Sequence, residues 1–302
     1  MSSQRVRAAA VELAWSVFTE LGVPGVARHH AHTAIDPEPW LVVAPSLFAL
    51  EPRLRDQVYG WCATHGSMVS VSRLKGLLKS LAPATQAAFG DFSTTLEENT
   101  ALRWPNLGRT TPWTSTPTSG GPRLPLERAS LLRLRLRALC GVGVRTDVLC
   151  ELLSVDQRWT RASELTDLGY SKRAVALVLA DLTQARFAEM RRVGNVNCYR
   201  LREPAAYGDI AGPLPSSYPR WRAILLLLLT ALRLAELEEK PDTVRRVEAV
   251  KRREQLATFA VEAEWPAPPE VRGAPQAWEL VVTWSADVFE QFATGGAPPR
   301  SR

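Results

Sequence analysis

Two short stretches set groups capable of chemistry side by side. His29, His30 and His32 form a His-His-Ala-His run, and imidazoles commonly ligate zinc, nickel and copper. A structural metal site needs about four ligands at set spacings. Only Cys62 and His65 could add to that half of the chain, and no Cys-His framework joins them. The run reads as a polar loop, with no metal and no cofactor. Asp36-Pro37-Glu38 offers two carboxylates, but acids beside a proline where a helical pattern starts complement the helix dipole. The chain contains no phosphate-binding loop, dinucleotide fingerprint, HExxH helix, GxSxG elbow or kinase signature. None of the four histidines is followed by an obvious nucleophile partner. We expect no catalytic residues and no enzyme.

A third set of groups is basic and polar, and it is regularly placed. Thr160 and Glu164 stand near the spacing of a capping arrangement, predicting a helix over residues 161–167. Leu168-Gly169-Tyr170 is a turn, with Gly169 taking backbone angles that other residues avoid. Ser171 caps a further helix running to Gln184. Its apolar set Val175, Val178, Leu179 and Leu182 follows i, i+3, i+4, i+7 and predicts the buried face. At about 100° per residue, Arg173, Leu177, Ala180 and Gln184 point away from that face, with Lys172 and Ala176 flanking its N-terminal end. Residues 186–192 and 196–201 alternate as hairpin strands around Gly194-Asn195, which places Arg191, Arg192, Asn195 and Asn197 at or beside the tip.

A helix, a turn, a second helix and a β-hairpin make the layout of a winged-helix DNA reader. The first residues of such a helix meet base edges, so Ser171, Lys172 and Arg173 are the leading contacts. Ala176 and Leu177 can touch a thymine methyl, and Gln184 lies on the same exposed side. The hairpin cations can straddle phosphates, which positions a protein without specifying sequence. The apolar middle of the exposed face equally suits docking of another protein. The stretch from Arg158 to Leu201 resembles the winged-helix domains of bacterial transcription regulators of the MarR/ArsR-like type. The resemblance spans residues 131–202, about a quarter of the chain. It implies a recognition helix beginning at Ser171, Lys172 and Arg173, and a basic wing carrying Arg191, Arg192 and Asn195. The chain departs from small members of that family in its long helical N-terminal and C-terminal regions.

Charge follows the same division. The net charge is +6, yet residues 128–202 hold fourteen Arg and Lys against seven Asp and Glu, a net of +7. The remainder is therefore close to neutral, and the anionic partner belongs to this region. Hydrophobic content of 46% with 23% charged residues suits a globular chain long enough for two or three cores. Four scattered cysteines without a CxxC pair read as reduced, mostly buried thiols of a cytoplasmic protein. No signal peptide is read at the N-terminus, and the apolar run 223–232 is about half a membrane span.

These observations predict a mainly α chain: a helical N-terminal domain (1–103), a Pro/Ser/Thr/Gly-rich linker (104–125), a winged helix-turn-helix (126–203) and a C-terminal helical domain with a loose tail (204–302). Helices are expected at residues 3–21, from Asp36 onward, at 52–65, 70–81, 147–153, 221–238, 243–263 and 278–292. Arg53, Arg55, Arg73, Lys75 and Lys79 read as a solvated face. Trp113 could anchor the linker, Asp156 lies in a connection, and Trp159 reads as core. The Leu-Arg alternation at 126–139 suits either a helix or a strand. Its Arg128, Arg133, Arg135 and Arg137 could meet phosphates or pair with acids. The functional expectation is a homodimeric regulator binding double-stranded DNA, without membrane contact. The alternative is a protein-interaction adaptor or antitoxin-like partner whose winged helix is a docking scaffold.

Overall fold

A computed structural model of the chain describes residues 2–25, 29–105, 122–154 and 158–295, giving backbone alone at 204, 205 and 209. The expected linker core at 106–121 with Trp113, the connection at Asp156 and the tail beyond 295 lie outside the described residues. Helices come first: α1 (Ser2–Glu20), α2 (Pro37–Val43), α3 (Pro52–His65), α4 (Val71–Leu78), α5 (Pro83–Asn99), α6 (Leu132–Cys140) and α7 (Val144–Ser154). A two-residue strand β1 (Thr160–Arg161) and a 3-10 helix over Ala162–Leu168 lead into α8 (Lys172–Gln184). The hairpin β2 (Ala188–Val193) and β3 (Val196–Leu201) follows, then α9 (Pro204–Ala211), α10 (Trp221–Ala235), α11 (Asp242–Glu262) and α12 (Ala277–Ala293). The chain is thus mainly helical, and its three strands form one antiparallel sheet of order β1-β3-β2.

The chain divides into two compact units. The first comprises Met1–His30, Pro39–Val58 and Pro219–Arg302. Here α1 packs along α10 and α12, and α11 closes against both. Val6, Ala10, Leu13, Val17 and Leu21 are all fully buried, as their helical spacing predicts. Helix α10 is apolar on most sides because it is enclosed by the other three, so Ile224, Leu227, Leu228 and Leu234 are buried together. Arg5 on α1 bonds Asp287 at 2.8 Å and Glu290 at 3.1 Å on α12. These units cut the chain differently from the segments 1–103 and 204–302, because α1 is completed by helices from the opposite end.

The second unit comprises Ala31–Glu38 and Tyr59–Tyr218. Its core gathers Leu132 and Leu136 of α6, Val148 and Leu152 of α7, Leu165 and Leu168, Val175 and Leu179 of α8, and Tyr199 and Leu201 of β3. Each fully buried leucine of this kind contributes about 1.5–3 kcal/mol. The Leu-Arg alternation resolves as helix α6, whose leucines face the core while Arg133 and Arg137 share one side four residues apart. Two elements lie where the sequence shows none: α5, and α9 inside the Pro- and Gly-containing connection. Trp104, at the start of the expected linker, is buried beside Phe89 and Phe92. No helix among the described residues is long and apolar enough to cross a membrane.

Candidate functional site

The turn before α8 is held by groups far apart in sequence. Gly169 takes φ +84°, and a Cβ there would stand 3.3 Å from the Arg73 backbone on α4. From the other side, a Cβ on Gly76 would lie 2.6 Å from the Gly169 carbonyl. The two backbones can approach only because both positions are glycine. Arg73 then donates from Nε to the Leu168 carbonyl at 2.7 Å. The Tyr170 hydroxyl donates to Asp147 Oδ2 at 2.7 Å and lies 2.9 Å from Ser70 Oγ.

These bonds belong to a buried ionic network. Arg73 pairs with Asp36 and Glu38, and Arg137 bridges Glu38, the Met68 carbonyl at 2.9 Å and Asp147 at 2.8 Å. Arg133 reaches Asp147 at 2.9 Å and Glu151 at 2.6 Å. Burial alone would raise the Asp36 and Asp147 carboxyls, but the guanidiniums of Arg133 and Arg73 outweigh it and hold both below the ordinary carboxylate range. Two expectations are corrected here. Arg73 is not on a solvated face but 1% exposed, and Glu38 is fully buried against two arginines instead of serving only the helix dipole. Arg133 and Arg137 are likewise engaged with acids, so part of the basic excess read from residues 128–202 is neutralised internally.

Helix α8 begins as its sequence predicts. Ser171 caps it, its Oγ accepting from the Ala174 N–H at 3.2 Å. Val175, Val178, Leu179 and Leu182 are buried. Lys172, Arg173, Ala180 and Gln184 are exposed, Ala176 is half-buried and Leu177 is 58% exposed. Among the described residues neither Lys172 nor Arg173 forms an ion pair. Farther along α8, Asp181 pairs with Arg145 at 2.7 Å, which offsets one negative charge near the exposed side.

The hairpin has the expected two-residue turn, with Val193 opposite Val196 and Gly194 at φ +61°. Alternation separates its cations. Arg192 stands opposite Asn197 and bonds the Gly194 carbonyl at 3.1 Å and Asn195 Oδ1 at 3.4 Å, so those three polar residues cluster at the tip. Arg191 points to the other face, its guanidinium 4.4 Å from the Trp159 ring. Trp159 is therefore half-exposed under an arginine and not core. Arg161 and Arg200 join that face and were not singled out by sequence. The missing signal is β1, which is too short to show a period and exists through Thr160 pairing with Tyr199 and Arg161 with Cys198.

The histidine run does not form a ligand set. His30 is buried between Trp221 and Phe292, and His65 bonds the Pro122 carbonyl at 2.6 Å. Among the described residues no three His, Cys, Asp or Glu side chains are grouped to hold a metal ion. The four cysteines are free thiols, with Cys140 alone of them exposed. No protein-family model, curated protein or solved structure matches the chain.

Proposed function

We propose that the chain is a DNA-binding transcription regulator of the winged helix-turn-helix kind, acting in the bacterial cytoplasm as a homodimer, with α8 as its recognition helix. The observation that carries this reading is the N-terminal end of α8: Lys172 and Arg173 are exposed there and form no ion pair among the described residues, above a turn held by hydrogen bonds from the ionic network. The order α6, α7, β1, the 3-10 helix, α8, β2, β3, with sheet order β1-β3-β2, supports it. A helix end presented this way suits a major groove, where cations meet guanine acceptors or phosphates. Two copies would read half-sites about one helical turn apart. No catalytic role or cofactor is part of the proposal.

Anisotropy of a labelled random duplex, titrated at two salt concentrations, tests it. Binding should weaken steeply with salt, and Lys172→Ala with Arg173→Ala should reduce affinity by about fivefold to a hundredfold, corresponding to about 1–3 kcal/mol for a lost base contact. Wild-type affinity shared by that double variant would sink the reading.

A second reading rests on Leu177, 58% exposed in the middle of the same face beside Ala180. Such an apolar surface suits a protein partner, with the winged helix as scaffold in an adaptor or antitoxin-like role. It predicts no salt-dependent duplex binding and loss of a co-purifying protein on Leu177→Lys.

A further inference from the structure

The outward face of the sheet carries a group of charges that α8 does not use. Directly opposed residues share a face, so Arg161 and Arg191, both opposite Cys198, lie together, and Arg200 opposite Glu189 lies beside them. Trp159, two residues before Arg161, falls on the same face by alternation. The guanidiniums of Arg191 and Arg200 lie 4.4 Å and 4.7 Å from the Trp159 ring centroid. Both are thus gathered on one indole. Glu189 is the acid among them, and it is shared between Arg200 at 2.9 Å and Arg202 at 3.6 Å. Glu164, which accepts the Arg161 backbone N–H at 3.2 Å, is a second carboxylate nearby, and four arginines against these two acids leave the face positive. Arg161 and Arg191 form no ion pair among the described residues.

We infer that this sheet face is a second phosphate-binding surface, taking the sugar-phosphate backbone of double-stranded DNA, with Trp159 as the residue that positions its arginines. The inference rests on the DNA-binding reading and extends the contact surface beyond α8 and the hairpin tip. Arg191, held against the indole and in no ion pair among the described residues, has its N–H donors left for phosphate oxygens, whereas Arg200 gives Nε and Nη2 to Glu189 and adds its charge to the face. Stacking also removes rotamer freedom before binding, so less is lost when a phosphate arrives. Arg191 and Arg200 both lie over the ring, so the sugar-phosphate backbone, not a stacked base, is the fitting ligand.

The full-length chain and a random duplex, followed by anisotropy across a salt series, test this. Trp159→Ala keeps every charge yet should weaken binding about two- to fivefold, the scale of a cation–π contact, and Trp159→Phe should restore most of the loss. Arg161→Ala with Arg191→Ala, at exposed positions, should flatten the salt slope by about 0.9 for each phosphate contact removed. Circular dichroism of each variant confirms that it is folded, and the exposed arginine pair stands as the test if Trp159→Ala is not. Wild-type chain that binds duplex, with affinity and slope unchanged in the arginine variant, overturns the second surface and leaves the α8 reading intact. A loss in the arginine variant without one in folded Trp159→Ala overturns the positioning role. Wild-type chain that ignores duplex altogether overturns both readings. Polyglutamate held as tightly as duplex, and released by the arginine substitutions, overturns nucleic acid as the occupant.

Discussion

His30 is the residue whose ionisation most directly opposes the fold. It is 1% exposed between Trp221 and Phe292, and burial, with a smaller contribution from His29, pushes its imidazole down to about 4. The unfolded chain protonates this group near pH 6.5. Because the unfolded state takes up the proton first, the stability it contributes is complete above pH 6.5 and is lost as pH falls toward 4. Asp36 and Asp147 act in the same direction but later: held low by Arg133 and Arg73, they keep their contribution until pH drops through about 4, where unfolded aspartate titrates. Acid destabilisation should therefore have two stages. Unfolding free energies from urea titrations between pH 7 and pH 4 should fall by up to about 3 kcal/mol through His30, and His30→Phe should flatten that first stage. A variant whose profile overlays the wild type between pH 6.5 and 4 would assign the decline to other groups.

Helix α8 and its hairpin are legible because their information is local. Ser171, the four-residue apolar stripe and Gly194-Asn195 each fix geometry through neighbours within one or two turns. The elements that escape sequence reading depend on distant partners. Strand β1 exists through Tyr199 and Cys198, which is why Trp159 passes for core and Arg161 passes unnoticed. Arg73 looks like any charged residue on an amphipathic helix, since its burial is decided by Asp36 and Glu38 more than thirty positions away. The turn before α8 combines both kinds of information. Gly169 is recognisable as a turn residue, but the closeness of α4 is not. Gly169→Ala should therefore cost more than the left-handed backbone alone, whose penalty is about 1–2 kcal/mol, because the added Cβ meets the Arg73 backbone at 3.3 Å. A loss of about 2–4 kcal/mol in urea unfolding is expected. A variant within about 0.5 kcal/mol of wild type would mean that the turn relaxes without resistance from α4.

At the scale of the molecule, the segment that carries α8 and its hairpin is not the segment that stabilises the turn before α8. Residues 126–203 contain Arg133, Arg137, Asp147 and Tyr170, while Asp36, Glu38, Ser70 and Arg73 come from earlier in the chain. Cutting at the compositional boundary would leave Arg137 without Glu38 and Tyr170 without Ser70, and would uncover Gly169 from α4. Breaking one partner from a buried ion pair costs about 3–5 kcal/mol because the remaining charge stays desolvated. A typical domain has about 5–15 kcal/mol in total, so a fragment of residues 126–203 should lose most of its stability. Thermal melts by circular dichroism should show helix without a cooperative transition. In the full-length chain Glu38→Ala should reproduce part of this effect, lowering the unfolding free energy by up to about 3–5 kcal/mol, because Arg73 keeps only Asp36 and Arg137 only Asp147 as close carboxylate partners. Should the fragment instead melt cooperatively at the temperature of the intact chain, the buried network would be incidental to holding α8. The segment 126–203 would then fold on its own.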